Sequence, residues 1–153
     1  MPNTFTQIHI QIIFAVQGRE SFIQPQWEEE LYRYISGIVS LKGQKMLAIN
    51  GMPDHIHILI GMRPTCKLSD LVREIKKSSN QFIYERGFCR FPFSWQEGYG
   101  AFSYSEGQID GVMKYIRNQK EHHKKRSFKV EFIDILKELN IYLSGQRNES
   151  IPD

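Results

Sequence analysis

Two stretches of this chain alternate with a period that only a β-strand satisfies. In "FTQIHIQIIFAVQ", residues 5–17, Ile8, Ile10, Ile12, Phe14 and Val16 take one parity, and Gln7, His9 and Gln11 the other. Successive strand side chains point to opposite faces, so this is a strand with one apolar face. In "PDHIHILIG", residues 53–61, Ile56, Ile58 and Ile60 share one face while His55, His57 and Leu59 share the other. The two imidazoles then stand side by side, about 6.5–7 Å apart at Cα from the strand rise. That spacing lets both rings converge on one ion. It equally suits two hydrogen-bonded polar side chains, and the strand alone does not choose.

The remaining elements follow from periodicity and capping. Pro25 opens a helix that runs to about Leu41, with Trp27, Leu31, Tyr34, Ile35 and Ile38 at helical spacing. "QKMLAIN" (44–50) reads as a second strand, "GMPD" as a turn and 55–62 as the third strand. Ser69 starts a second helix, with Leu71, Val72, Ile75, Phe82 and Ile83 as its stripe and Gly87 as its stop. Aromatic segments around Phe91–Trp95 and Tyr99–Tyr104 read as strand-like. Ser105 and Gln108 form a capping box that opens a third helix, through about His122. A last amphipathic helix, about Phe128–Leu139, carries Phe132, Ile135 and Leu136. The order β-α-β-β-α-β plus two helices predicts an α+β, ferredoxin-like antiparallel sheet with its first two helices on one face. His9, His55 and His57 are expected on the other, open face, with the tyrosine-bearing third helix as its lid. Residues 1–140 read as one domain and 141–153 as a polar tail.

Bulk properties exclude little. A net charge of +3 permits a nucleic-acid partner without requiring one. Cys66 and Cys89 show no ligand spacing and read as free thiols in a reducing cytoplasm. No apolar run approaches the ~20 residues that cross a bilayer, and no signal-peptide pattern is present.

On the third helix, Tyr115, Gln119 and His122 recur at i, i+4 and i+7 along one flank of the stripe Ile109, Val112, Met113 and Ile116. A packing tyrosine beside a surface amide would look the same. Taken with "PDHIHILI", "LSDLVREIKKSSNQFI" and "WQEGYGAFSYS", however, "YIRNQ" resembles the HUH single-tyrosine transposases (the TnpA family) of small insertion sequences that move as single-stranded DNA. The likeness runs over roughly residues 5–140.

The resemblance implies that His55, His57 and Gln119 are ligands of a divalent metal and that Tyr115 is the nucleophile. It further implies cleavage and rejoining of single-stranded DNA through a covalent phosphotyrosine, recognition of DNA hairpins, and a homodimer whose tyrosine acts in cis or in trans. Two imidazoles suit Zn, Ni or Cu on softness, whereas an amide oxygen and phosphates suit Mg or Mn; the resemblance favours Mg or Mn. His122, one turn beyond Gln119, is a further group that can approach the ion. Tyrosine, with an ordinary pKa of ~10, must lose its proton; the ion, Lys114 or Lys120 are candidates to help. No G-x-x-x-x-G-K loop is present, which suits a reaction that conserves bond energy. Arg73, Lys76 and Lys77 on the second helix, and Arg117, Lys120, Lys124, Lys125 and Arg126 on and after the third, are candidate phosphate contacts. Tyr99, Phe102 and Tyr104 are candidates to stack on bases. Three alternatives stay open: a metal hydrolase or dioxygenase, a non-catalytic nucleic-acid-binding module, and the related branch that handles repetitive chromosomal palindromes. Leu59 stands where the hydrolase motif HxHxD needs Asp, and a cupin needs more strands.

Overall fold

The computed structural model describes residues 4–20, 22–122 and 127–138. Its elements are β1 (His9–Ala15), α1 (Glu28–Leu41), β2 (Lys45–Met52), β3 (His55–Gly61), α2 (Leu68–Arg86), β4 (Gly100–Tyr104), α3 (Glu106–Arg117), α4 (Gln119–His122) and α5 (Phe128–Glu138). The four strands form one antiparallel sheet in the order β2-β3-β1-β4. This is the ferredoxin-like arrangement that the element order predicts.

Register follows from the two apolar parities. Ile12 pairs with Ile58, Phe14 with Ile56 and Ile10 with Ile60. These residues pack on Leu31, Ile35 and Val39 of α1 and on Val72, Ile75 and Ile83 of α2, forming the larger core. Fully burying one such side chain contributes about 1.5–3 kcal/mol. A one-residue slip would turn the whole set to the other face. α2 stops at Gly87, whose φ of 63° lies in the left-handed region. Gly51 lies against β3: a Cβ there would stand 2.9 Å from Ile56 Cα, so no larger residue fits beside the start of that strand.

The second face of the sheet departs from expectation. It is not open: Ala48 and Leu59 pack on Ile109 and Ile116 of α3, while Ile13, Ala15 and Phe102 pack on Phe128, Phe132, Ile135 and Leu136 of α5. Helices therefore cover both faces. The cause is in the strands, since "QIIFAV" and "HILI" are apolar at both parities, as strands buried on two sides must be. The tyrosine helix is the lid that was expected over the histidines, and α5 is a second one.

Two further boundaries differ. The capping box of Ser105 and Gln108 opens α3 as predicted, but the helix breaks at Asn118 and restarts as α4. Of the aromatic segment 91–95, only Trp95 pairs, through an isolated bridge to Val16. Leu139, the basic run Lys124–Arg126 and the tail 141–153 lie outside the described residues.

Candidate active site

Strand parity carries His55 and His57 to the face under α3 and α5, and both are fully buried. Each ring is held from behind. His55 Nδ1 lies 2.7 Å from Asp54 Oδ1, and the ring stacks on Phe128 with centroids 4.2 Å apart. Gln11, on the neighbouring strand, donates from Nε2 to the Tyr104 hydroxyl (2.8 Å) and turns its oxygen to His57 Nδ1 at 2.9 Å. An amide oxygen can only accept, so His57 Nδ1 carries a proton, and Nε2 is left to donate to a carboxylate or, without its own proton, to bind a metal. Backing partners of this kind orient metal-binding imidazoles.

Both Nε2 atoms face a residue that sequence reasoning missed. Glu131 of α5 is fully buried, with Oε1 3.1 Å from His57 Nε2 and 3.5 Å from His55 Nε2. Its other oxygen accepts from the Tyr115 hydroxyl in a short hydrogen bond and from Gln119 Nε2 at 3.1 Å. The four residues singled out from the sequence thus converge on one carboxylate. The signal was present: Phe128, Glu131, Phe132, Ile135 and Leu136 fall at i, i+3, i+4, i+7 and i+8, so a charged residue occupies the apolar stripe of α5.

The donor set fits a cation. His55, His57 and Glu131 bring one ligand atom each to within 4.8 Å of one another. The lone pair of His57 Nε2 and a carboxylate oxygen meet at 3.1 Å, a distance that calls for a proton or a metal between them. Among the described residues Gln119 Oε1 is buried with no hydrogen-bond partner, so it can accept one more positive group. Burial by itself lowers the pKa of His55, but hydrogen bonds and charges of Asp54 and Glu131 outweigh it and raise the pKa above the ordinary histidine value.

The other candidates are dispersed. His9 pairs in register with Gly61, six residues along the strand from the Ala15–His55 pair, and contacts Glu106 instead (3.8 Å). The side chain of His122 lies outside the described side chains. Lys120 is tied to Glu28 Oε2 (3.0 Å), Asn50 Oδ1 (3.4 Å) and, through a short bond, the Gly51 carbonyl. Lys76 donates to the carbonyls of Gln96 (2.8 Å) and Gly98 (2.6 Å), and burial lowers its pKa. Arg73 pairs with Asp70 at the surface, and Lys77 and Arg117 are partly or wholly exposed. Phe102 is a core residue and Tyr104 a partner of Gln11, which leaves Tyr99 as the exposed aromatic of the three.

Comparison with known proteins adds the following. The sequence profile described as "Transposase IS200 like" matches residues 4–119. The ISDra2 transposase TnpA of Deinococcus radiodurans is 24% identical over 122 residues, which cover 74% of this chain and 84% of that protein. A solved structure from Deinococcus radiodurans, described as that of a transposase, superposes with a TM-score of 0.62 at 21% identity, covering 78% of this chain and 95% of that one. A REP-associated tyrosine transposase bound to a REP hairpin superposes with a TM-score of 0.60 at 17% identity, covering 80% and 73%. The profile ends at Gln119, so Glu131 and α5 lie beyond the matched region.

Proposed function

The chain belongs to the IS200-like transposase family, and on that premise we propose that it cleaves and rejoins single-stranded DNA at insertion-sequence ends with Tyr115 as nucleophile. The observation that carries the reading is the meeting of Tyr115, His55, His57 and Gln119 at one buried carboxylate.

In this reading Tyr115 Oη attacks the phosphorus, the bond to O3′ breaks, and the products are a 5′-phosphotyrosine and a 3′-hydroxyl. Glu131 Oε2, already hydrogen-bonded to that hydroxyl, takes the proton, a role the sequence left to the ion or to Lys114 or Lys120. Reversal by another 3′-hydroxyl rejoins the strand and needs no nucleotide cofactor. His55, His57 and Glu131 Oε1, with Gln119 Oε1, would hold a divalent cation, and the oxygen share of that set favours Mg or Mn. When bound, the cation supplies charge neutralisation on the phosphate oxygens and fixes the line of attack.

DNA hairpins are the proposed partner, which the REP-hairpin complex of a structural neighbour supports. That neighbour equally supports a second reading, a palindrome-associated nickase acting on chromosomal repeats. A homodimer through the edge strands β2 and β4 belongs to the same proposal.

The test is a cleavage assay on labelled single-stranded hairpin oligonucleotides taken from the gene's own flanks, with Mn or Mg. Tyr115→Phe should bind the hairpin and the metal yet cut nothing. His57→Ala should lose metal and cutting together. Cleavage by Tyr115→Phe would sink the proposal.

A further inference from the structure

A groove of about 420 Å³ opens between α2 and the segment that leads into β4. Arg73, Lys76, Lys77, Asn80, Gln96 and Tyr99 line it. Its size lies within the ordinary range of about 300–1,000 Å³ for small-molecule sites. Two of the lining residues carry amide oxygens, Asn80 Oδ1 and Gln96 Oε1, that are buried without a hydrogen-bond partner among the described residues. Such atoms are costly unless a ligand completes them. Amide side chains offer a donor and an acceptor together, the pattern that reads the edge of a base. Tyr99 is 40% exposed, with Lys76 Nζ 6.0 Å from its ring centroid, and offers aromatic surface for stacking. Lys77 and Arg73, the latter paired with Asp70, stand at the rim, where the one carboxylate of the lining, Glu97, is exposed to solvent. Lys76 fixes the wall by binding the carbonyls of Gln96 and Gly98.

The groove opens on the α2 side of the sheet, opposite the histidines, and the two sides meet at the sheet edge beside Ala15. Gln96 N–H donates to the Ala15 carbonyl at 2.8 Å, and Ala15 is the register partner of His55. Two strand spacings, roughly 10 Å, therefore separate the backbone of Gln96 from that of His55. Gln96–Tyr99 also line a small cavity with Phe128, the residue stacked on His55.

We propose that this groove binds one unpaired nucleotide of the single-stranded DNA substrate, with its base on Tyr99, its edge against Asn80 and Gln96, and its phosphate near Arg73 and Lys77. This rests on the DNA-processing reading above. Asn and Gln pair in bidentate fashion with adenine, which makes adenine the expected base.

The experiment measures fluorescence anisotropy of labelled dA, dC and dT homopolymers with the full chain, alongside formation of the Tyr115–DNA adduct. The wild type should prefer dA. Tyr99→Ala should weaken dA binding by about 5- to 150-fold, the range expected for one lost stack, while Tyr99→Phe restores it. Asn80→Ala should erase the preference among homopolymers. Lys77→Ala should weaken all three alike and reduce the salt slope by about one. Equal binding of the three homopolymers, unmoved by Tyr99→Ala, would overturn the groove proposal. An adduct that still forms in that case leaves the nuclease reading intact. Base-dependent binding without any adduct would keep the groove and refute the nuclease.

Discussion

Replacing Glu131 with Gln should change how the stability of the metal-free protein depends on pH. In the folded chain the carboxylates of Asp54 and Glu131 raise the His55 pKa above its unfolded value of about 6.5, despite burial. A raised folded pKa stabilises the protein fully below the unfolded value, and this contribution is lost as pH rises through the folded one. The metal-free wild type should therefore weaken between about pH 6.5 and the folded His55 value. Each tenfold gain in proton affinity is worth about 1.4 kcal/mol, or roughly 3–5 °C in Tm for a domain of this size. Glu131→Gln removes one of the two carboxylates but keeps its shape. The amide oxygen can still accept from Tyr115 and Gln119, and its NH2 can donate to the lone pair of His57 Nε2, so no proton is needed between them. The decline with pH should shrink, with the part due to Asp54 remaining. The assay is thermal melting in chelator from about pH 6 to about pH 9, repeated with Mn. Metal at a hundredfold excess over Kd adds about 2.7 kcal/mol to the wild type, and the variant should gain far less. Equal pH slopes in the two proteins, or equal protection by Mn, would refute the role given to Glu131.

Other consequences follow from packing. Gly51→Ala should cost about 1–3 kcal/mol, because the added carbon meets Ile56 Cα at 2.9 Å and its Cγ2 at 3.1 Å; calorimetric melting reads it, and an unchanged Tm would mean that the β2–β3 hairpin yields. Phe128→Ala removes a buried ring stacked on His55. The cost of about 3–5 kcal/mol should fall on the docking of α5, so its amides should exchange roughly 10²–10⁴-fold faster while β1 and β3 stay protected, and DNA cleavage should slow, because α5 carries Glu131. Uniform loss of protection would mean that α5 is part of the cooperative core. Gln119→Leu should weaken Mn binding at least tenfold by titration calorimetry, an effect of the size seen for groups that support metal ligands; unchanged affinity would leave the ion to His55, His57 and Glu131.

Period-two alternation was sufficient to read β1 and β3, their faces and the His55–His57 pair, because a strand has one periodicity and two faces. Capping chemistry was as informative: Ser105 with Gln108 marks the start of α3, and Gly87 the end of α2. Burial of the histidines was not legible, since it depends on what α5 covers, and α5 is distant in the chain. Glu131 was overlooked because an amphipathic stripe is read by its apolar members. Its position among Phe128, Phe132 and Ile135 is the clue that a buried charge has partners. The break at Asn118 has no local signature, as asparagine is neither a strong breaker nor a favoured former. Charge runs do not reveal how Lys76 and Lys120 are held. Their ammonium groups are taken up by backbone carbonyls, and a carbonyl partner leaves no trace in residue type.

The chemistry of Tyr115 is tested most directly by mass spectrometry of the tryptic peptides after reaction with a hairpin oligonucleotide and Mn. A nucleotide should be joined through phosphate to Tyr115, absent in chelator and in His57→Ala, with a free 3′-hydroxyl on the released strand. Cut DNA bearing a free 5′-phosphate, with Tyr115 unmodified throughout, would make water the nucleophile and contradict the role given to Tyr115.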